Sequence, residues 1–526
     1  MAKCQATHDC VPPGFQSRLP KRVIHVGSVS IHPRLYKTQR KPGKYIALSH
    51  RWGAKGEQPL LTTSGNLRSR CQGIPLNEFP ATFRDAIEVT RALGIKYLWI
   101  DSLCIIQDSL NDWISESAHM ANVYMDATLT LAADFGKNPR SGLLPKDPSL
   151  MPKVRHFTHT DNEGKPHQLY VRKDWPRPKE YSGSQSTACY ASEATSQLQS
   201  RAWAMQERVL SRNTVFFTGS ELLWECSQVH ECSCGNKVNR YSSSQCFKAL
   251  LKVPATGMLE SQWLWYRLLT DYTARQLTYP ADRLPALTGI ASMMPFPATD
   301  YLAGLWRGAL RDGLLWVNPL GRDSSRIQHA RGGFPKLAGA GSNWRISGQY
   351  APSWSWASIS GPVAFGFVIE GNSVDQVWRI VDAQCTPKTS NPYGPVSGGF
   401  VVVDGYLLPI TIQESLRDEE QTPNGNMMAS RELCVLLSDR ENVTGLNKTW
   451  MDAGLGAREW EDEDYDYFLL SLGKTCASRG IPVGMILRRL KMERTHCYAR
   501  VGMARLDNWH QEHLNAGAKR QQFRIV

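Results

Sequence analysis

Along residues 45–133 the apolar positions change period repeatedly. Tyr45-Ile46-Ala47-Leu48-Ser49 is a short unbroken apolar run, which fits a buried strand. From Pro80 the spacing shifts, and Phe83, Ala86, Ile87, Thr90 and Leu93 recur every three or four residues, one face of a helix. Pro80 suits its first turn and Gly94 its stop. Tyr97-Leu98-Trp99-Ile100-Asp101 reads as a second buried strand ending on a carboxylate. Leu110, Trp113, Ser117, Met120 and Tyr124 mark one side of a second helix, and Thr128 to Ala133 reads as a third strand. Strand, helix, strand, helix, strand with short links predicts right-handed crossovers and a parallel sheet. Such sheets bind ligands outside the carboxyl ends of their strands. Here those ends are Ser49 to Trp52, Asp101 to Cys104, and Ala133-Asp134.

The flanking regions read differently. Residues 1–43, Pro-rich and basic, form a loose lead-in. Residues 135–198 form an insertion with a hairpin, Val154 to Thr160 and Gln168 to Arg172, turning at Asn162-Glu163-Gly164. Arg201 to Leu210 reads as a helix with Trp203 and Leu210 inward, followed by strands at Thr214 to Thr218 and Leu222 to Trp224. Residues 227–320 are mainly helical, 321–345 are a linker or loop, and 346–526 are β-rich. In that last region Phe400 to Val403, Leu433 to Leu437, Tyr467 to Leu472, Val483 to Leu487 and Tyr498 to Val501 are the predicted strands.

A hydrophobic fraction of 42% with 17 Trp is ample for sizeable cores, and only 21% charged residues argues against global disorder. The net charge of +13 admits an anionic partner. The basic residues are nevertheless scattered, with no run longer than pairs such as Arg488-Arg489 and Lys519-Arg520. A solvated basic surface is the expectation, with nucleic acid not a partner. The 13 Cys follow no regular framework, the N-terminus lacks the apolar run of a signal peptide, and no stretch of ~18 apolar residues predicts a membrane span. A cytoplasmic protein with reduced thiols is expected.

Several familiar motifs fail. Gly473-Lys474-Thr475 lacks the P-loop glycine five residues upstream, where Phe468 stands. No Gly-x-Ser-x-Gly elbow occurs. His510 and His513 share one helix face without the metalloprotease pattern, which suits a surface helix. Cys226, His230, Cys232 and Cys234 are zinc-ligand types, but Cys232 and Cys234 are only one residue apart. They read as a loop of reduced cysteines, and no metal is expected.

Three blocks stand out together. The first is Tyr45 to Gly53, with Ser49-His50-Arg51-Trp52. The second is Asp85 to Gly94 running into Tyr97 to Asp108, then Asp112-Trp113 and Glu116. The third is Ser200-Arg201-Ala202-Trp203-Ala204-Met205-Gln206-Glu207-Arg208, followed by Leu223 to Cys226. In order and rough spacing they resemble the fungal heterokaryon-incompatibility (HET) domain proteins. The segments Tyr272 to Leu284, Tyr301 to Trp306 and Ala351 to Ala357 fit full-length members too. The resemblance is far more specific over 44–226, the expected HET domain, than beyond it.

That resemblance implies a role in self/non-self recognition and programmed cell death. HET domains are in turn similar to the TIR fold, a flavodoxin-like α/β parallel sheet with flanking helices, and some TIR domains cleave NAD at the nicotinamide–ribose bond. TIR enzymes carry a Trp followed four residues later by the catalytic Glu, in a helix after the third strand. Trp203 and Glu207 have that spacing; Trp113 and Glu116, three apart, are the second candidate. On this likeness Glu207 is the catalytic carboxylate and Trp52 or Trp203 stacks on nicotinamide. Arg51 meets the pyrophosphate, while Asp101 or Ser49 lines the pocket mouth. NAD is then a substrate and no cofactor is needed.

Each residue has a structural alternative. Glu207, flanked by Arg201 and Arg208, suits an ion pair holding a helix; Trp52 and Trp203 suit a core. Arg51 suits an edge ion pair, Asp101 a cap for the following turn, and Glu116 an exposed helical carboxylate. Three functions stay open: an NAD glycohydrolase effector, a non-enzymatic module that self-associates and recruits partners, and a basic DNA- or membrane-binding regulator. The expected partner is another incompatibility protein or an allelic variant.

Overall fold

The structure, a computed structural model, describes residues 2–8, 10, 14–54, 56–143, 154–172, 196–219, 221–233, 243–250, 258–318, 350–365 and 377–416. It also describes 420–421, 427–428, 431–437, 448–451, 466–474, 482–490, 496–505 and 518–526. These residues fall into two compact units, Met1–Thr256 and Gly257–Val526.

The first unit begins with α1 (Ala2–Thr7), β1 (Arg22–His25), β2 (Arg34–Lys37) and β3 (Ile46–Ser49). Then come α2 (Leu67–Gln72), α3 (Ala81–Ala92), β4 (Tyr97–Trp99), α4 (Asp101–Cys104), α5 (Leu110–Asp126) and β5 (Leu129–Ala132). After the hairpin of β6 (Val154–Thr160) and β7 (Pro166–Arg172), the chain forms α6 (Ala202–Leu210), β8 (Thr214–Phe217), β9 (Leu222–Glu225), β10 (His230–Cys232) and α7 (Ser243–Leu250).

One eight-stranded sheet organises the unit, in the order β10-β9-β8-β5-β3-β4-β1-β2. Its centre is parallel: β3 pairs with β4 and β5, and β5 with β8. Counted along the chain, those four run 2-1-3-4, one of the two common doubly wound orders. The switch point lies between β3 and β5. All four residues of each of these two strands are buried, which explains their unbroken apolar runs. Antiparallel strands extend both edges. The segment read as a loose lead-in therefore supplies β1 and β2. Their four-residue lengths and mixed polarity give no strong sequence signal.

Helix α3 buries Phe83, Ala86, Ile87 and Thr90 as its periodicity predicts, while Leu93 at its end stays exposed. The face of α5 is rotated from the expected one. Asp112, Glu116, Met120, Val123 and Tyr124 are buried, and Leu110, Trp113 and Ile114 are exposed. Two carboxylates thus occupy the inner face. Asp112 accepts from Lys21 at 2.8 Å, the Ile106 amide at 2.9 Å and Arg22. Glu116 faces Arg40 at 3.7 Å. Glu116 is therefore buried, contrary to the exposed reading, because its cation arrives from the chain before β3.

The second unit opens with a helix, Met258–Thr273, and ends in a β-rich region. Val396–Leu416 pairs with Tyr467–Lys474, that strand with Pro482–Arg489, and that one with Cys497–Arg505. Lys519–Ile525 pairs with both Cys497–Arg505 and Val396–Leu416, so the hydrogen-bonded ring closes. Leu408, Ile410, Leu469, Ile486 and Val501 contribute to its core. The five predicted strands all fall within observed ones, and Gly473-Lys474 lies in a strand. The linker at 321–345, Cys234, His510 and His513 lie outside the described residues.

Candidate functional site

Ser49 closes β3 at the switch point, where its carbonyl accepts from the Ala133 amide at 2.9 Å. Its hydroxyl donates to the Glu207 carboxylate on α6. The Tyr124 hydroxyl on α5 also bonds that carboxylate. Glu207 is 3% exposed. Burial pushes its carboxyl above the ordinary range and the Asp101 charge adds to this. Attraction by Arg201 and the bonds from Ser49 and Tyr124 oppose it without cancelling it.

Asp101 follows β4 as the first residue of α4. Its Oδ2 accepts from Trp52 Nε1 at 2.7 Å, and its Oδ1 accepts from the Ser102 amide at 2.7 Å. Ile100 holds the cap position of this turn, without a side-chain cap, so Asp101 does not cap it and instead contacts the β3 segment through Trp52. His50 Nδ1 stands 3.7 Å from Asp101 Oδ1. The His50 ring is 2% exposed, lies edge-on to Phe83 at 4.9 Å, and has no hydrogen-bond partner at either nitrogen among the described residues. Burial lowers its pKa to about 4 despite the attraction of Asp101, and Arg201 adds to the lowering. The imidazole is neutral at neutral pH.

Arg201, just before α6, donates to the His50 carbonyl. Arg51 donates to Gln197 at 2.8 Å, and its pKa is lowered by burial and then by Arg201. Two guanidinium groups thus act on one another beside the end of β3. Such a paired positive charge suits a phosphate or pyrophosphate.

The expected residues therefore join in two contacts, Ser49 with Glu207 and Trp52 with Asp101, linked through residues 49–52. Arg51 meets an amide rather than an ion-pair partner. Trp52 and Trp203 are half-buried, not core, and Trp203 lies one turn before Glu207 on the same side of α6. His50, Tyr124 and Arg201 were missed as site residues. His50 lies in the first sequence block and Arg201 in the third, and Tyr124 carries only a helical-face signal.

Arg208 does not pair with Glu207. Its Nη2 meets Glu225 Oε2 at 2.6 Å, while Lys248 Nζ and Ser244 Oγ each reach Glu225 Oε1 at 2.8 Å. Burial of Glu225 raises its pKa, but Arg208 and Lys248 outweigh that and hold the carboxyl well below the ordinary range. This buried cluster joins α6, β9 and α7. It leaves Glu207 in no ion pair among the described residues.

Fold and site together define a mixed α/β unit with a buried carboxylate at the switch point of its parallel strands. Residues 45–207 match the family model described as Heterokaryon incompatibility protein (HET). The matched segment runs from the residue before β3 to Glu207 and contains every member of the site. The match suggests a role in heterokaryon incompatibility. No curated protein and no solved structure matches the chain. Among the described residues no helix is long and apolar enough to cross a membrane.

Proposed function

We propose that this chain acts in heterokaryon incompatibility by cleaving NAD at its nicotinamide–ribose bond, with Glu207 facing the reacting ribose. The observation that carries this reading is Glu207 itself. It is a fully buried carboxylate with no ion pair among the described residues, at the β3 end where doubly wound sheets take their ligands. A buried carboxylate without a paired cation is costly to the fold, and such groups concentrate at functional sites. The 2-1-3-4 order of the parallel strands also supports the TIR likeness.

In this reading Arg51 and Arg201 attract the pyrophosphate, and the half-buried Trp52 or Trp203 stacks on nicotinamide. The C1′–N bond breaks with its electron pair leaving on the nicotinamide nitrogen, and positive charge develops on the ribose. Glu207 stabilises that charge or orders the ribose hydroxyls. Water adds at C1′ and loses a proton, giving ADP-ribose. Depletion of NAD then accounts for death of the fused cell. The trigger is another incompatibility protein or an allelic partner.

A second reading rests on α5. Leu110, Trp113 and Ile114 are 71%, 39% and 49% exposed on consecutive turns, an apolar patch suited to self-association. Under it the unit signals by assembly without catalysis. Wild-type chain and Glu207→Gln expressed in matched cells separate the two, with cellular NAD and viability as readouts. Loss of both NAD and viability only in the wild type supports cleavage. Equal death in both with NAD intact, abolished by Trp113→Glu, supports assembly.

A further inference from the structure

The first unit also gathers four soft ligands at a place far apart in sequence. Cys4 Sγ, Cys10 Sγ, Cys226 Sγ and one ring nitrogen of His8 all lie within 4.8 Å of one another. We propose that Cys4, His8, Cys10 and Cys226 form a structural zinc site that pins the N-terminal segment to the β9–β10 hairpin. This inference is independent of the NAD reading.

The donor set is three sulfurs and one imidazole, a closed tetrahedral combination typical of structural zinc. With Zn–S near 2.3 Å and Zn–N near 2.1 Å, tetrahedral ligand atoms stand roughly 3.5–3.8 Å apart. His8 Nδ1 and Cys226 Sγ are already 3.5 Å apart. The remaining separations need to contract by about 1 Å at most.

Local backbone places each ligand. Cys4 lies on α1, and the His8 amide donates to the Cys4 carbonyl at 3.0 Å. This last helical turn sets the two side chains on one face. Cys10 follows two residues later. Cys226 opens the turn between β9 and β10, closed by its amide donating to the Val229 carbonyl at 2.9 Å. Inside that turn the amides of Gln228 and Val229 donate to Cys226 Sγ at 3.5 and 3.4 Å. These amide donors fix the position of the sulfur, as groups bonded to a metal's ligands commonly do.

Second partners are also in place. Ser227 Oγ is 3.2 Å from Cys10 Sγ, and Cys4 Sγ donates to Asn213 Oδ1 at 3.6 Å. The three sulfurs are buried, with Trp224 and Val229 packed against them. All three thiols are free rather than bridged. In the sequence Cys226 stands beside other zinc-ligand types, His230, Cys232 and Cys234. Cys232 instead donates to Glu221 at 2.7 Å. A clamp between residues 10 and 226 closes a long loop of chain, where a cross-link removes most entropy from the unfolded state.

The test uses the full chain, purified with reductant and without chelator, and zinc as the probe. One zinc per chain by elemental analysis is expected. Cobalt in its place is expected to give thiolate-to-metal charge transfer and the strong visible bands of a tetrahedral site. Cys10→Ser and Cys226→Ser are expected to lose at least tenfold in zinc affinity, while Cys232→Ser keeps it. If the ligand variants fail to fold, the cobalt spectrum of the wild-type chain decides. Folded wild-type chain that takes up no zinc, or a disulfide among Cys4, Cys10 and Cys226, overturns the proposal.

Discussion

The Ser49 hydroxyl, at the end of β3, donates to the Glu207 carboxylate from 158 positions away in the chain. That bond ties the third sequence block to the first and fixes the carboxylate at the mouth of the parallel sheet. Glutamine in place of Glu207 keeps the shape and can still accept from Ser49, but carries no charge. Glu207→Gln is expected to lower NAD cleavage by about 10²–10³-fold, the cost of removing one stabilising group at a developing charge. Its melting temperature is expected to stay level or rise at neutral pH, because the buried carboxyl has a raised pKa. Nicotinamide release and thermal unfolding check the two halves separately.

The pH dependence of stability follows from His50. Its folded pKa is lowered from 6.5 to about 4, so below pH 6.5 the unfolded chain binds a proton that the folded chain refuses. Stability falls as pH drops from 6.5 towards 4, by up to ~3 kcal/mol. His50→Leu is expected to flatten that part of the profile. An unchanged slope in urea melts across this window would remove His50 as its source.

Glu225 carries the next acid step. Its folded pKa is depressed, so its contribution is present above the unfolded value near 4.5 and is lost as pH falls through the folded one. Glu225→Gln leaves Arg208 and Lys248 without their shared carboxylate and is expected to cost about 3–5 kcal/mol at pH 7. The variant's stability should also fall less below pH 4.5 than the wild type's. Denaturant unfolding at the two pH values measures both effects.

In the second unit Gly304 has φ +95°, and a Cβ there would stand 2.5 Å from the Trp356 ring. Its carbonyl accepts from Trp265 Nε1 at 3.0 Å and Trp356 Nε1 at 3.1 Å. Gly304→Ala adds backbone strain to a clash with a buried indole, so a loss of about 2–4 kcal/mol is expected. Calorimetry of the variant is the direct check.

Periodicity exposed the centre of the sheet because β3 and β5 are buried on every side, so their composition alone marks them. It also placed α3, the β6–β7 hairpin and five strands of the second unit. It missed β1 and β2, which are four residues long and mix apolar with polar positions. It misjudged Glu116, which is buried on the same face as Asp112, since an apolar-face count treats a carboxylate as outward. Their cations, Arg40, Lys21 and Arg22, come from a separate segment of chain. The candidate site was legible as Ser49, Trp52, Asp101 and Glu207. Which of these touch was not, because each contact joins different elements. The pairing of Arg208 with Glu225 instead of Glu207, and the gathering of Cys4, His8 and Cys10 about Cys226, are tertiary facts of the same kind.

The most direct test of the account is nicotinamide release from NAD by the purified full chain at high concentration, beside Glu207→Gln. Equal amounts of nicotinamide and ADP-ribose are expected from the wild type, and at least a hundredfold less from the variant. No release from folded, concentrated wild-type chain, or equal release from both, would contradict it.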